Sequence, residues 1–146
     1  MKRRVVFIWI IIVIMFSNIS YAYINIYPTK FNKNISNGAT EIFYLYNRSN
    51  NPVKYRIYLD KEKENDMTDW IEIYPKSITL KPLEQKEFKI FVNPPKNIKD
   101  GIYQSKLVVK QVSIPKINEK NSNFMTILKM KLKGYIGETI DEIKKV

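Results

Sequence analysis

Apolar and polar residues alternate with period two along most of this chain, the spacing at which side chains of an extended strand fall on opposite faces. The cleanest run is Val53–Asp60, where Val53, Tyr55, Ile57 and Leu59 alternate with Lys54, Arg56, Tyr58 and Asp60. Phe88, Ile90 and Val92 share one face of Gln85–Val92, and Tyr103, Leu107 and Val109 share one face of Ile102–Val112. Ile24–Phe31 reads as a short first strand interrupted at Pro28, and Thr40–Tyr46 as a second. Trp70–Tyr74 and Ser77–Leu80 are extended segments flanking Pro75. Near the end, Asn123–Lys133 puts Phe124, Thr126, Leu128, Met130 and Leu132 on one face and Lys129, Lys131 and Lys133 on the other. As the last strand it is expected at a sheet edge, where unpaired N–H and C=O groups can template pairing with another chain.

Turn chemistry separates these runs: Asn37-Gly38, Asn47–Pro52, the charged loop Lys61–Asp69, Asn93-Pro94-Pro95 and Asp100-Gly101. No segment before Gly137 holds a helical period over ten residues. The pattern therefore predicts an all-β fold, an immunoglobulin-like seven-stranded β-sandwich. Asp100-Gly101-Ile102-Tyr103 resembles the tyrosine corner of such sandwiches, in which a tyrosine hydroxyl bonds back to nearby backbone. Ser113–Ser122 reads as a loop before the last strand, and Thr139–Val146 as a helical turn or a tail.

The N-terminus changes where this fold is expected to work. Lys2-Arg3-Arg4, the apolar run Val5–Phe16 and Ser20-Tyr21-Ala22 have the layout of a cleavable secretory signal. The run has twelve residues, short of the roughly 20 that span a bilayer, so no stable membrane span is expected after cleavage. The expected division is a signal peptide over 1–22, one sandwich domain over 23–136 and a tail over 137–146. Removing the three basic signal residues lowers the formal charge from +11 to +8. In an exported chain that excess favours anionic surfaces or acidic partners, and the scattering of the lysines argues against nucleic acid. With no cysteine and no histidine, the usual zinc ligands, histidine triads and thiol nucleophiles are absent. Asp69, Glu72 and Asp100 are isolated acids near turns, so neither an enzyme nor a metal or other cofactor is expected.

Four segments carry a family resemblance: Ile26-Tyr27-Pro28-Thr29-Lys30, Asn47–Val53, Ile73–Pro82 ahead of Phe88-Lys89-Ile90, and Lys131-Leu132-Lys133-Gly134-Tyr135. In order and spacing the chain resembles the first domain of the PapD-like periplasmic pilus chaperones. The resemblance implies a periplasmic protein that captures an exported pilin-like subunit by strand donation. By motif position, Lys30 and Lys133 would anchor the subunit's C-terminal carboxylate. Phe124, Thr126, Leu128 and Met130 would fill its groove, forming an exposed apolar stripe in the free chain. Lys30 stands where the family pattern has arginine, offering a point charge in place of a planar fork. Family members carry a second sandwich domain, for which a second chain or a homo-oligomer would have to substitute here. The competing expectation is a stand-alone exported immunoglobulin-like module with a structural or adhesive role.

Overall fold

Two of the seven alternating runs break at a proline, which has no N–H to continue a ladder, and in both the halves join different sheets. The first run yields β1 (Asn25–Tyr27) and β2 (Phe31–Asn34) on either side of Pro28, and the run at Pro75 yields β5 (Ile71–Tyr74) and β6 (Ser77–Leu80). The remaining strands are β3 (Ala39–Tyr46), β4 (Val53–Asp60), β7 (Gln85–Val92), β8 (Gly101–Val112) and β9 (Ile127–Ile136), with one 3-10 turn at Thr68–Trp70. Seven runs thus become nine strands. The structure, a computed structural model, describes residues 24–112 and 125–137. The segment expected to be a signal, the loop 113–122, Phe124 and the expected tail from residue 138 onward lie outside the described residues.

One sheet has the order β1-β3-β7-β5 and the other β2-β9-β8-β4-β6. Every pairing between these strands is antiparallel except β2 with β9, which is parallel. The fold is an all-β, immunoglobulin-like sandwich. Its core holds the faces that alternation singles out: Phe43 and Leu45 of β3, Ile57 of β4, Phe88, Ile90 and Val92 of β7, Leu107 and Val109 of β8, and Leu132 of β9. Phe43 stacks on Phe88 with ring centroids 5.2 Å apart. Full burial of each such side chain contributes about 1.5–3 kcal/mol, so these stripes set the fold.

Polar fastenings fix the turns. Asn47 is buried; its Nδ2 donates to the carbonyls of Asn51 (2.7 Å) and Lys81 (3.0 Å), while its Oδ1 accepts from the Ser49 N–H (3.0 Å) and hydroxyl (2.7 Å). This ties the β3–β4 turn to the end of β6. The Tyr103 hydroxyl donates to the Lys99 carbonyl at 2.9 Å, the tyrosine-corner bond expected from the sequence. Gly38 sits at φ 80° in the turn after β2, a conformation that glycine adopts without penalty. On the charged loop, Asp66 Oδ1 accepts from the Thr68 hydroxyl (2.6 Å) and the Glu62 N–H (2.9 Å). Burial pushes the Asp66 carboxyl up, but these hydrogen bonds and the nearby Lys61 ammonium together hold it below its ordinary value.

Candidate partner-binding edge

β9 is paired with β8 over its whole length, from Ile127↔Lys110 to Ile136↔Gly101. The Gln111 N–H donates to the Thr126 carbonyl at 2.9 Å, so the even-numbered backbone groups of β9 face β8 and the odd-numbered ones face away. On that far side β2 covers only Leu132–Tyr135, and the Ile35 N–H extends the ladder to the Tyr135 carbonyl at 2.8 Å. Ahead of Leu132 the first run has crossed to the other sheet as β1, and among the described residues no strand lies along Ile127–Lys131. The backbone groups of Ile127 and Lys129 therefore point out of an unpaired edge. At 3.3 Å per residue the opening is about 16 Å long.

Every expected site residue except Phe124 has a definite position with respect to this edge. Met130 is 8% exposed and sits opposite Leu107 in the core, and Leu128 is packed partly against the same core. The expected exposed apolar stripe is therefore corrected. β9 lies within the five-stranded sheet, and its apolar face is needed to close the sandwich. The exposed apolar side chains at this end are Met125 (51%) and Ile127 (47%). Thr126 is half-buried, and Phe124 lies outside the described residues.

Lys133 is exposed on the outer face of β9, paired with Asn32. Lys30, also exposed, immediately precedes Phe31, whose partner is Leu132, so it lies off the end of β2 nearest Lys131. Three lysines, Lys30, Lys131 and Lys133, thus gather where β2 begins and the open edge ends. None of the three takes part in an ion pair among the described residues. Lys131 is an addition to the pair expected from sequence; its signal was the shared outer face with Lys133. One position further, Lys129 approaches Asp60 at 3.8 Å.

Elsewhere little converges. The other sheet's outer face holds a shallow depression of about 550 Å³ lined by Tyr27, Pro28, Thr40, Glu41, Ile42 and Tyr44, where Glu41 is already paired with Lys33 at 2.9 Å. Among the described residues no group of His, Cys, Asp and Glu could hold a metal, and no helix is long and apolar enough to cross a membrane.

No protein-family model matches the chain, and no curated protein matches it in sequence. Solved structures do match in fold. The Escherichia coli chaperone DraB is 12% identical with a TM-score of 0.62 over 78% of this chain and 55% of its own. The chaperone–tip adhesion subunit complex CsuC–CsuE from archaic chaperone-usher Csu pili of Acinetobacter baumannii is 18% identical, with a TM-score of 0.61 over 84% of this chain and 64% of the matched one. SSP-19, an MSP-domain protein from Caenorhabditis elegans, is 13% identical with a TM-score of 0.55 over 76% of this chain and 98% of its own. The fold is thus one shared by pilus chaperones and MSP domains, and the chain spans little more than half of DraB.

Proposed function

We propose that this chain is an exported, chaperone-like binding module that captures a pilin-like subunit at the open edge of β9. The observation that carries the reading is the position of the three lysines relative to that edge. A partner segment running parallel to β9 along Ile127–Lys131 would continue the line of β2 and end against Lys30. Its C-terminal carboxylate would then meet the ammonium groups of Lys30, Lys133 and Lys131. A carboxylate leaving water needs charge-assisted partners, and their fixed position would set the register of docking. Ladder bonds to the Ile127 and Lys129 backbone supply sequence-independent affinity. Thr126 and Leu128, each half-buried, would fill the partner's groove together with Phe124, and Met130 would border it from the core.

The likeness to pilus chaperones, including one solved with its tip adhesion subunit and one described as periplasmic, supports this reading and a periplasmic location. In the same reading residues 1–22 direct export and 23–136 form the binding domain. Neither catalysis nor a cofactor is involved in this reading. The test is retention of a co-expressed pilin-like subunit. Lys30→Ala and Lys133→Ala should each weaken retention without lowering the melting temperature, and charge reversal should weaken it further. Adding residues beyond the subunit's C-terminus should do the same. Silence of both lysine variants and of the extension refutes the anchor.

One observation favours a second reading, a stand-alone structural or adhesive module: Met130 and much of Leu128 are used by the chain's own core. That reading predicts that Leu128→Glu unfolds the chain while the lysine changes affect no partner.

A further inference from the structure

We infer that the segment received by the β9 edge carries acidic side chains at alternate positions, so that its charge pattern and its backbone are read together. The inference rests on strand addition at β9 and specifies the chemistry of the incoming chain.

In a parallel pair, side chains of partnered residues share a face. Phe31 and Leu132 are both buried, whereas Asn32 and Lys133 are both exposed. A segment extending that arrangement along Ile127–Lys131 would set inward side chains beside Leu128 and Met130, and outward ones beside Ile127, Lys129 and Lys131. The outer face it borders is lopsided in charge. Lys129, Lys131 and Lys133 lie along the edge strand, Lys106 and Lys110 stand opposite Lys131 and Ile127 on β8, and Arg56 follows Lys110 on β4. Against them this face sets Asp60, 3.8 Å from Lys129, and Glu62, 3.8 Å from Lys106. Among the described residues neither Lys131 nor Lys133 takes part in an ion pair. A basic side chain beside Lys129 or Lys131 would meet its own sign at cross-strand distance, and a neutral one would leave the excess of positive charge on this face unbalanced. An acidic one gives Lys131 a partner and Lys129 a second one beside Asp60. Beside the exposed Ile127, an apolar residue fits. Toward its C-terminus, the segment should therefore read apolar, apolar, acidic, apolar, acidic.

The probes are synthetic peptides. One has the sequence Thr-Val-Val-Glu-Val-Glu with a free C-terminal carboxylate; one replaces both glutamates with glutamine, and one has the same composition in scrambled order. Binding is measured by titration to the purified chain, and strand addition by amide hydrogen exchange at Ile127 and Lys129. The patterned acidic peptide should bind about 2- to 30-fold more tightly than the glutamine peptide, the range expected of two cross-strand charge pairs. The gap should narrow as salt rises. Lys129→Gln with Lys131→Gln should close it without changing the melting temperature. Equal affinity of the acidic and glutamine peptides, with protection at Ile127 and Lys129 in both, overturns the acidic pattern and leaves strand addition standing. Equal affinity of the patterned and scrambled acidic peptides reduces the effect to bulk charge and also overturns it. Absence of protection with every peptide overturns strand addition itself, and this inference with it.

Discussion

Met130 and Ile127 lie three residues apart on β9 and face opposite sides, so one charged substitution at each tests the orientation of the whole strand. Met130 is 8% exposed against Leu107, whereas Ile127 is 47% exposed beside Lys110. Met130→Glu forfeits the burial of a large apolar side chain, about 2 kcal/mol. It also sets a carboxyl in the core with no donor, costing roughly another 1–3 kcal/mol. The sum, about 3–5 kcal/mol, corresponds to a melting temperature lower by at least about 12 °C for a domain of this size. Ile127→Glu loses a partly exposed contact but gains an opposite charge near Lys110, so its net effect should stay within about 1 kcal/mol. Thermal and urea unfolding of the two variants measure both quantities. Because a one-residue slip would move every side chain of β9 to the other face, a larger loss at Ile127 than at Met130 would refute the register.

Asn47→Ala should cost about 1–3 kcal/mol in urea unfolding, because the carbonyls of Asn51 and Lys81 lose their donor, and Asn47→Asp should cost more at neutral pH, where a carboxylate faces those oxygens. At Gly134 an added Cβ would lie 2.5 Å from Ile35 Cδ1, so Gly134→Ala should destabilise by about 1–3 kcal/mol, and Ile35→Val, which deletes that methyl, should recover part of the loss in the double variant. The Asp66 carboxyl is held below its ordinary value in the fold, so its contribution is complete above the unfolded carboxylate value and is lost as pH falls through the lower folded one. Unfolding measured from pH 5 to pH 2 should therefore show less acid sensitivity in Asp66→Asn than in the parent chain, and identical profiles would dismiss the role.

Alternation located the core well because burial in a sandwich has the same period as the strand. Ile57, Phe88, Ile90, Leu107 and Val109 are buried where period two places them, and Tyr103 makes its corner bond. The division of the first run and of the run at Pro75 between two sheets was not legible. A proline marks a break in a ladder, but the sheet that each half then joins depends on neighbours distant in sequence. The candidate site was legible in part for the same reason. Lys133 and the lysine face of β9 follow from periodicity, whereas the proximity of Lys30 to Lys131 requires the parallel register of β2. Alternation also could not say whether the apolar face of Leu128 and Met130 looked toward its own core or outward, since the two faces of an edge strand have the same spacing.

The parallel pairing of β2 with β9 joins Phe31 to Leu132, residues 101 positions apart. Closing so long a loop has a large entropic cost that local contacts cannot offset, so this ladder is expected among the last parts of the sandwich to form. Until it does, Lys30 and Lys131 are not neighbours and the open edge has no defined end. During synthesis, the emerging polypeptide therefore lacks this arrangement of the edge until residue 135 has joined the sheet. Under the proposed function, maturation of the fold would thereby set the earliest moment at which a partner can be engaged.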